Sequence, residues 1–177
     1  MKKILTSAIA LLMTLTVSAQ ENATTFMGIP IKGSASIMRS ALVQKGFVLN
    51  KDYTLMGCVD GDSCNITIDT DKGKVVSITA VNMCGTNSIR EAIEKYDALL
   101  DFYKENCNYT EYETNDYIHD TDIETNKRNI GNEYYYAEFF QVCEPQKFTR
   151  RLSFKLTAKH GDYRIVRCYD NSEELPL

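Results

Sequence analysis

Twice along this chain, a stretch with helical apolar spacing is followed by three segments of strand character. In the first instance Ile37, Ala41 and Leu42 fall at helical spacing, with Ser34 placed to cap the helix and Gly46 to end it. Segments 53–59, 64–69 and 75–81 follow, separated by Asp60-Gly61 and Asp71-Lys72-Gly73. Such turns tolerate the left-handed backbone of a tight reversal, and a tight reversal makes neighbouring strands antiparallel. In the second instance Ile89, Ala92, Ile93, Tyr96, Leu99, Leu100 and Tyr103 form one apolar stripe, which predicts a helix ending near Glu105. Ser88 and Glu91 have capping-box spacing at its start. Segments 133–143, 148–158 and 163–169 then supply a second meander, with His160-Gly161-Asp162 as its last turn. Two helix-plus-antiparallel-meander units predict an α+β fold in two layers, with helices covering one face of sheet. Whether the two sheets join edge to edge or pack separately is open at this level.

Three local readings complete the pattern. Residues 26–31 are predicted to be extended, because Pro30 biases Ile29 away from helix. Residues 106–132 are polar and weakly patterned, and read as a long connection holding one short strand at 109–112. Lys147, Arg150, Arg151, Lys155 and Lys159 are interleaved with Phe148, Leu152, Phe154 and Leu156. That interleaving predicts the wet face of a half-buried strand rather than an anion-binding patch.

The N-terminus carries a different signal. Lys2 and Lys3 precede an apolar run from Ile4 to Val17, and Val17-Ser18-Ala19 supplies small residues ahead of Gln20. This is the pattern of a secretory signal peptide over 1–19, cut between Ala19 and Gln20. The run is shorter than the roughly 20 residues of a membrane span. The expected organisation is therefore 1–19 signal peptide, 20–84 first unit and 85–177 second unit, the two units forming one compact domain. Without its first 19 residues the chain of 177 shortens to 158, and its charge moves from −4 to −6 because Lys2 and Lys3 are lost. An acidic chain repels nucleic-acid phosphates and anionic lipid, which disfavours nucleic acid and stable membrane insertion.

All six cysteines, Cys58, Cys64, Cys84, Cys107, Cys143 and Cys168, lie beyond the signal segment. An even count behind an export signal predicts oxidation to structural disulfides in a periplasmic or secreted protein, with one or two free thiols the alternative. Six cysteines allow 15 pairings, and a hairpin through Asp60-Gly61 could bring Cys58 and Cys64 together.

Motifs for chemistry are sparse. No C-x2-C spacing suggests zinc or redox work, and no G-x-S-x-G suggests a serine nucleophile. Asp69-Thr70-Asp71-Lys72-Gly73 starts like a calcium loop, but Ala80 stands where an EF-hand needs Glu. A plain turn is the better account. His119-Asp120-Thr121-Asp122 reads as a solvated loop, and His160 as a turn tip. No metal, cofactor or catalytic residue is expected. The absence of Trp, a common sugar platform, ranks a glycan-associated accessory protein or weak hydrolase below a binding module. Tyr134, Tyr136 and Phe140 share one strand face, and Tyr135 and Phe139 the other. If the second face is bare, Tyr135 and Phe139 are candidate partner contacts; otherwise the strand is buried on both sides. The expected role is a non-enzymatic protein- or peptide-binding module of the cell envelope, its partner an envelope or extracellular protein.

Phe26-Met27-Gly28-Ile29-Pro30-Ile31-Lys32-Gly33-Ser34, followed by a short helix and Lys45-Gly46-Phe47, carries a resemblance. It resembles a family of small, exported, uncharacterised proteins of Gram-negative bacteria that open with Phe-x-Gly-Ile-Pro-(Ile/Val)-x-Gly-(Ser/Thr). The likeness continues through Gly61 to Ile66, Glu94-Lys95-Tyr96 and Cys168-Tyr169-Asp170. Cys58 and residues 106–132 fit the pattern less well. The resemblance implies an envelope location and an α+β fold, and carries no catalytic residues. The predicted architecture is also similar, by analogy, to the tandem helix–sheet modules of the β-lactamase inhibitor protein and of small outer-membrane assembly lipoproteins. Those modules bind other proteins through a sheet face or its loops.

Overall fold

The structure is a computed structural model, and it describes residues 23–112, 117, 118, 123–131, 135–141 and 151–171. Its core is an eight-stranded sheet with the α+β character expected from the sequence. The chain opens with a small hairpin, β1 (Thr25–Phe26) and β2 (Ile29–Pro30), then α1 (Ala35–Gln44). A two-residue strand β3 (Val48–Leu49) leads into the meander β4 (Leu55–Val59), β5 (Asp62–Asp71) and β6 (Lys74–Asn82). The second half runs α2 (Ile89–Glu105), β7 (Tyr109–Glu111), α3 (Ile123–Gly131), β8 (Tyr136–Gln141), β9 (Arg151–Lys159) and β10 (Asp162–Asp170).

The strand order is β3-β4-β5-β6-β10-β9-β8-β7, antiparallel throughout. The two meanders therefore join edge to edge through β6 and β10, from Val166 opposite Val81 to Asp170 opposite Ser77. That pairing closes the question the sequence leaves open. The joint leaves neither β6 nor β10 as an exposed edge.

Local chemistry explains most element ends. Ser34 Oγ accepts the Ile37 N–H at the start of α1, and Gly46, at φ +96°, turns the chain out of it. Ser88 Oγ accepts the Glu91 N–H at 3.3 Å. The Glu91 carboxylate reaches Thr86 Oγ1, which in turn accepts the Ser88 N–H, so the capping box closes through a threonine relay. Asp60-Gly61, Lys72-Gly73 and His160-Gly161 all sit at positive φ, as the reversals they make require.

Three elements depart from the sequence reading. Residues 26–31 do not run straight: Met27 and Gly28 both take positive φ and fold a hairpin, with Phe26 opposite Ile29. Segment 106–132 holds a helix, α3, in addition to the short strand. Its only apolar residues are Ile123 and Ile130, too few for a stripe, and it is anchored by buried Ile130 and Asn126. Third, β3 makes a short edge that no alternating pattern announces.

All three helices lie against the same face of the sheet. Met38 and Leu42 of α1, the stripe of α2 and Ile130 of α3 share one core with Leu55, Ile66, Ile78, Ala80, Phe139, Leu152, Phe154, Leu156 and Ile165. Tyr103 is packed among Tyr109, Phe139 and Phe154 at ring separations of 4.8 to 5.7 Å. Gly57 lies on the core parity because Phe47 occupies its side-chain space: an added Cβ would meet that ring at 2.2 Å.

Candidate functional site

The other face of the sheet carries no described element. Its side chains come from the alternate positions of every central strand, so the register alone lays them in rows. Met56 stands opposite Asn65, Asn65 opposite Val81, Val81 opposite Val166, Val166 opposite Lys155, and Lys155 opposite Tyr136. A second row runs Thr67, Thr79, Cys168, Ser153, Glu138, and a third Asp69, Ser77, Asp170, Arg151, Phe140. At the usual strand spacing, the six strands from β4 to β8 make this face about 24 Å wide. Its side chains are half-buried by their neighbours or exposed, Phe140 excepted. Phe140 is covered edge-on by Tyr112, with ring centroids 5.1 Å apart.

The face has a fixed charge pattern. Arg151 bridges Glu138 at 3.1 Å and Asp170 at 2.9 Å, holding two acids from the flanking strands. Beside that cluster Tyr136 is 44% exposed, and across the face Val81 and Val166 form a half-buried aliphatic pair, separated from Tyr136 by Lys155 and from Met56 by exposed Asn65. An aromatic, an aliphatic pair and a positioned ion-pair cluster on a rigid sheet make a mixed surface suited to macromolecular contact. Of the basic run read as a wet strand face, Arg151 and Lys155 do stand on this side of β9, while Lys147 and Arg150 lie outside the described residues.

The two aromatics proposed as partner contacts are placed otherwise. Phe139 is fully buried and stacked against Phe154 at 6.0 Å. Tyr135 packs toward the core, and its hydroxyl donates to Asn126 Oδ1 at 2.6 Å. Tyr136 and Phe140 share one face and Tyr135 and Phe139 the other, but the helices cover the Tyr135 and Phe139 side, and no described element covers the Tyr136 side. Tyr134 is outside the described residues. The alternative of a strand buried on both sides fails for the same reason, since only one layer of helices exists among the described residues.

Nor does the hairpin join Cys58 to Cys64. Cys58 stands opposite Ser63, and Cys64 opposite Gly57, which puts the two thiols on opposite faces. Cys58, Cys64, Cys84, Cys107 and Cys168 are all free, and Cys143 lies outside the described residues. The expected disulfides are thus not formed among the described cysteines. The His119-Asp120-Thr121-Asp122 stretch also lies outside them, and Lys72-Gly73 of the calcium-like run forms the β5–β6 turn.

A polar cluster that the sequence reading passed over sits on the core face. Arg167 is 1% exposed. Its Nη1 donates to Asn82 Oδ1 at 2.6 Å and its Nη2 to Asp62 Oδ2 at 2.7 Å, while Nε lies 3.3 Å from Asp60 Oδ2. Tyr103 donates its hydroxyl to Asp60 Oδ2 at 2.6 Å, and Tyr169 lies 3.2 Å from that hydroxyl. One signal could have found it: Arg167 shares the parity of Ile165 and Tyr169, the apolar side of β10.

This cluster suits cohesion better than catalysis. One carboxylate oxygen of each aspartate, Oδ2, is taken up: that of Asp62 by Arg167 and Asn82, that of Asp60 by Tyr103 and Arg167. Burial pushes the Cys64 thiol up to about 11, against the pull of Arg167, and drives the Tyr103 and Tyr169 hydroxyls upward as well. Each remains protonated at neutral pH, so none is an activated nucleophile. Among the described residues no three His, Cys, Asp or Glu side chains gather closely enough to hold a metal ion.

No family model matches this chain, nor does any curated protein or solved structure.

Proposed function

We propose that the chain is a non-enzymatic protein- or peptide-binding module of the cell envelope, exported through segment 1–19, cut between Ala19 and Gln20, and working in the periplasm or outside the cell. The observation that carries the reading is an eight-stranded sheet with helices on one face and, among the described residues, no element on the other. A sheet of this breadth is stable with one wet face, so bareness alone asks for no partner. The mixture of exposed Tyr136, the Val81–Val166 pair and the clamped Arg151 cluster is what favours a macromolecular one. The protonated thiol and phenols on the opposite face support a role without chemistry. No helix among the described residues is long and apolar enough to cross a membrane.

The test is chemical cross-linking of mature protein in envelope extract, with partners identified by mass spectrometry, in parallel with a Tyr136→Glu, Val166→Glu double variant. Both positions lie on the bare face, so the variant should melt within a few degrees of the parent while losing its cross-linked partner. A partner retained by the double variant, or turnover of a glycan by the purified protein, would sink the reading.

A further inference from the structure

A second surface lies on the opposite side of the molecule, at the β3 edge. Helix α1 and the β3 region leave between them an open groove of about 550 Å³, lined by Ser36, Arg39, Ser40, Val43, Leu49 and Tyr53. Val43, Leu49 and Tyr53 are exposed aliphatic and aromatic side chains, Tyr53 at 67%. Leu49 stands opposite core-facing Leu55, so it points to the helix side of the sheet and into this groove. Among the described residues β3 is the last strand of the sheet, and its outer backbone edge has no strand partner.

Two features distinguish the groove from incidental surface. Tyr53 is a bulky residue held at φ +66°, a conformation that costs free energy and that glycine would adopt freely. Arg39 keeps it there, donating its Nε–H to the Tyr53 carbonyl at 3.1 Å and laying its guanidinium 5.4 Å from the ring centre. The two Nη groups of Arg39 have no partner among the described residues, and Arg39 is the one charged residue lining the groove. Lys45 and Lys51, both exposed, stand next in sequence to the lining elements. Thr54 donates both its N–H and its hydroxyl to Oδ1 of Asp52, bonds that hold that carboxyl below its usual range, so Asp52 keeps its negative charge next in sequence to Tyr53.

We propose that this groove binds the carboxyl-terminal end of an extended, apolar peptide. The peptide backbone adds to the β3 edge, an alternate side chain fills the space between Val43, Leu49 and Tyr53, and the terminal carboxylate pairs with Arg39. Strand addition supplies hydrogen bonds, and the groove and cation supply selectivity. A two-residue edge suits a chain end better than a long strand. Groove-to-groove pairing of two copies is disfavoured, since Arg39, Lys45 and Lys51 of each would meet the same cations of the other. The site is independent of the bare sheet face, which lies on the other side of the sheet.

The experiment titrates acetyl-Ala-Ser-Val-Leu, as free acid and as carboxamide, into ¹⁵N-labelled mature protein followed by NMR. The acid should bind saturably, with shifts centred on Val43, Leu49 and Tyr53, and the amide at least tenfold more weakly. Arg39→Gln should weaken the acid at least tenfold and the amide by less, because Tyr53 loses its anchor for both ligands, and so bring the two to similar affinities. Val43→Glu should remove both, and Tyr53→Gly should weaken the acid without lowering the melting temperature. Equal affinity for acid and amide, shifts centred on the bare face, no saturable shifts, or shifts that follow protein concentration alone would each overturn the proposal.

Discussion

Arg167 makes the largest single demand on this fold, because an arginine removed from water needs partners for its charge and its N–H groups. Asn82 and Asp62 accept from Nη1 and Nη2 at 2.6 and 2.7 Å, and Asp60 Oδ2 stands 3.3 Å from Nε as an ion pair, although Nε–H makes no hydrogen bond among the described residues. Removing the cation leaves two carboxylates, 20% and 36% exposed, facing the core end of the sheet without their partner. Arg167→Ala is therefore expected to cost about 3–5 kcal/mol, a large part of a typical domain's stability, read as the shift in urea midpoint. Arg167→Met combined with Asp60→Asn and Asp62→Asn should recover much of that loss; a triple variant as unstable as the single one would refute the pairing argument. Cys64 lies under the same cluster, and its thiol is pushed up to about 11 by burial. In the unfolded chain a thiol ionises near about 8.5. Its folded value is the higher one, so its contribution is fully present below about pH 8.5 and is lost as pH rises toward about 11. Thermal melts from neutral pH upward should show stability falling through that window, by up to roughly 3 kcal/mol, and Cys64→Ala should flatten the slope.

Among the elements, α2 shows how a helix start can be shared. The Ser88 and Glu91 spacing predicted a reciprocal box, and Thr86 sits between the two partners. Its hydroxyl donates to Glu91 and accepts from the Ser88 N–H, which lowers the Glu91 carboxyl below its usual range chiefly through that hydrogen bond. Thr86→Val keeps the shape and removes both bonds. It is expected to lose about 1 kcal/mol, as much as Ser88→Ala, in chemical denaturation. An unchanged midpoint would mean the relay contributes nothing. The α2 stripe could be read from the chain because seven apolar residues repeat at helical period. α3 could not, since it has no apolar stripe and its buried Asn126 is met by the Tyr135 hydroxyl, which comes from beyond the helix.

At the scale of the whole molecule, the seam between β6 and β10 is the structural fact on which the rest depends. It converts two meanders into one sheet, aligns Val81 with Val166 on the bare face, and sets Asn82 and Arg167 together on the covered one. Residues 20–84 expressed alone would keep Asp60 and Asp62 but lose their arginine, and would expose β6 as an unpaired edge. The fragment is expected to show poorly dispersed NMR amide signals and no cooperative melt; a well-dispersed spectrum would show that the first half stands alone.

Strand parity, turn residues and the long helical stripe are local properties, and they were enough to determine the α+β class and the order of its two main helices and six meander strands, but not the opening hairpin, β3 or α3. They also placed Tyr135 and Phe139 together on one face, and Tyr136 and Phe140 on the other. Which of those faces is covered depends on where the helices pack, and a period of two assigns sides without saying which side faces the core. The same limit separates Cys58 from Cys64, whose nearness in sequence says nothing of facing until register is known. Pairing of β6 with β10 joins residues about half a chain apart, and only the assembled sheet decides it. From that one long-range choice follow the bare face, the buried Arg167 cluster and the terminal β3 edge.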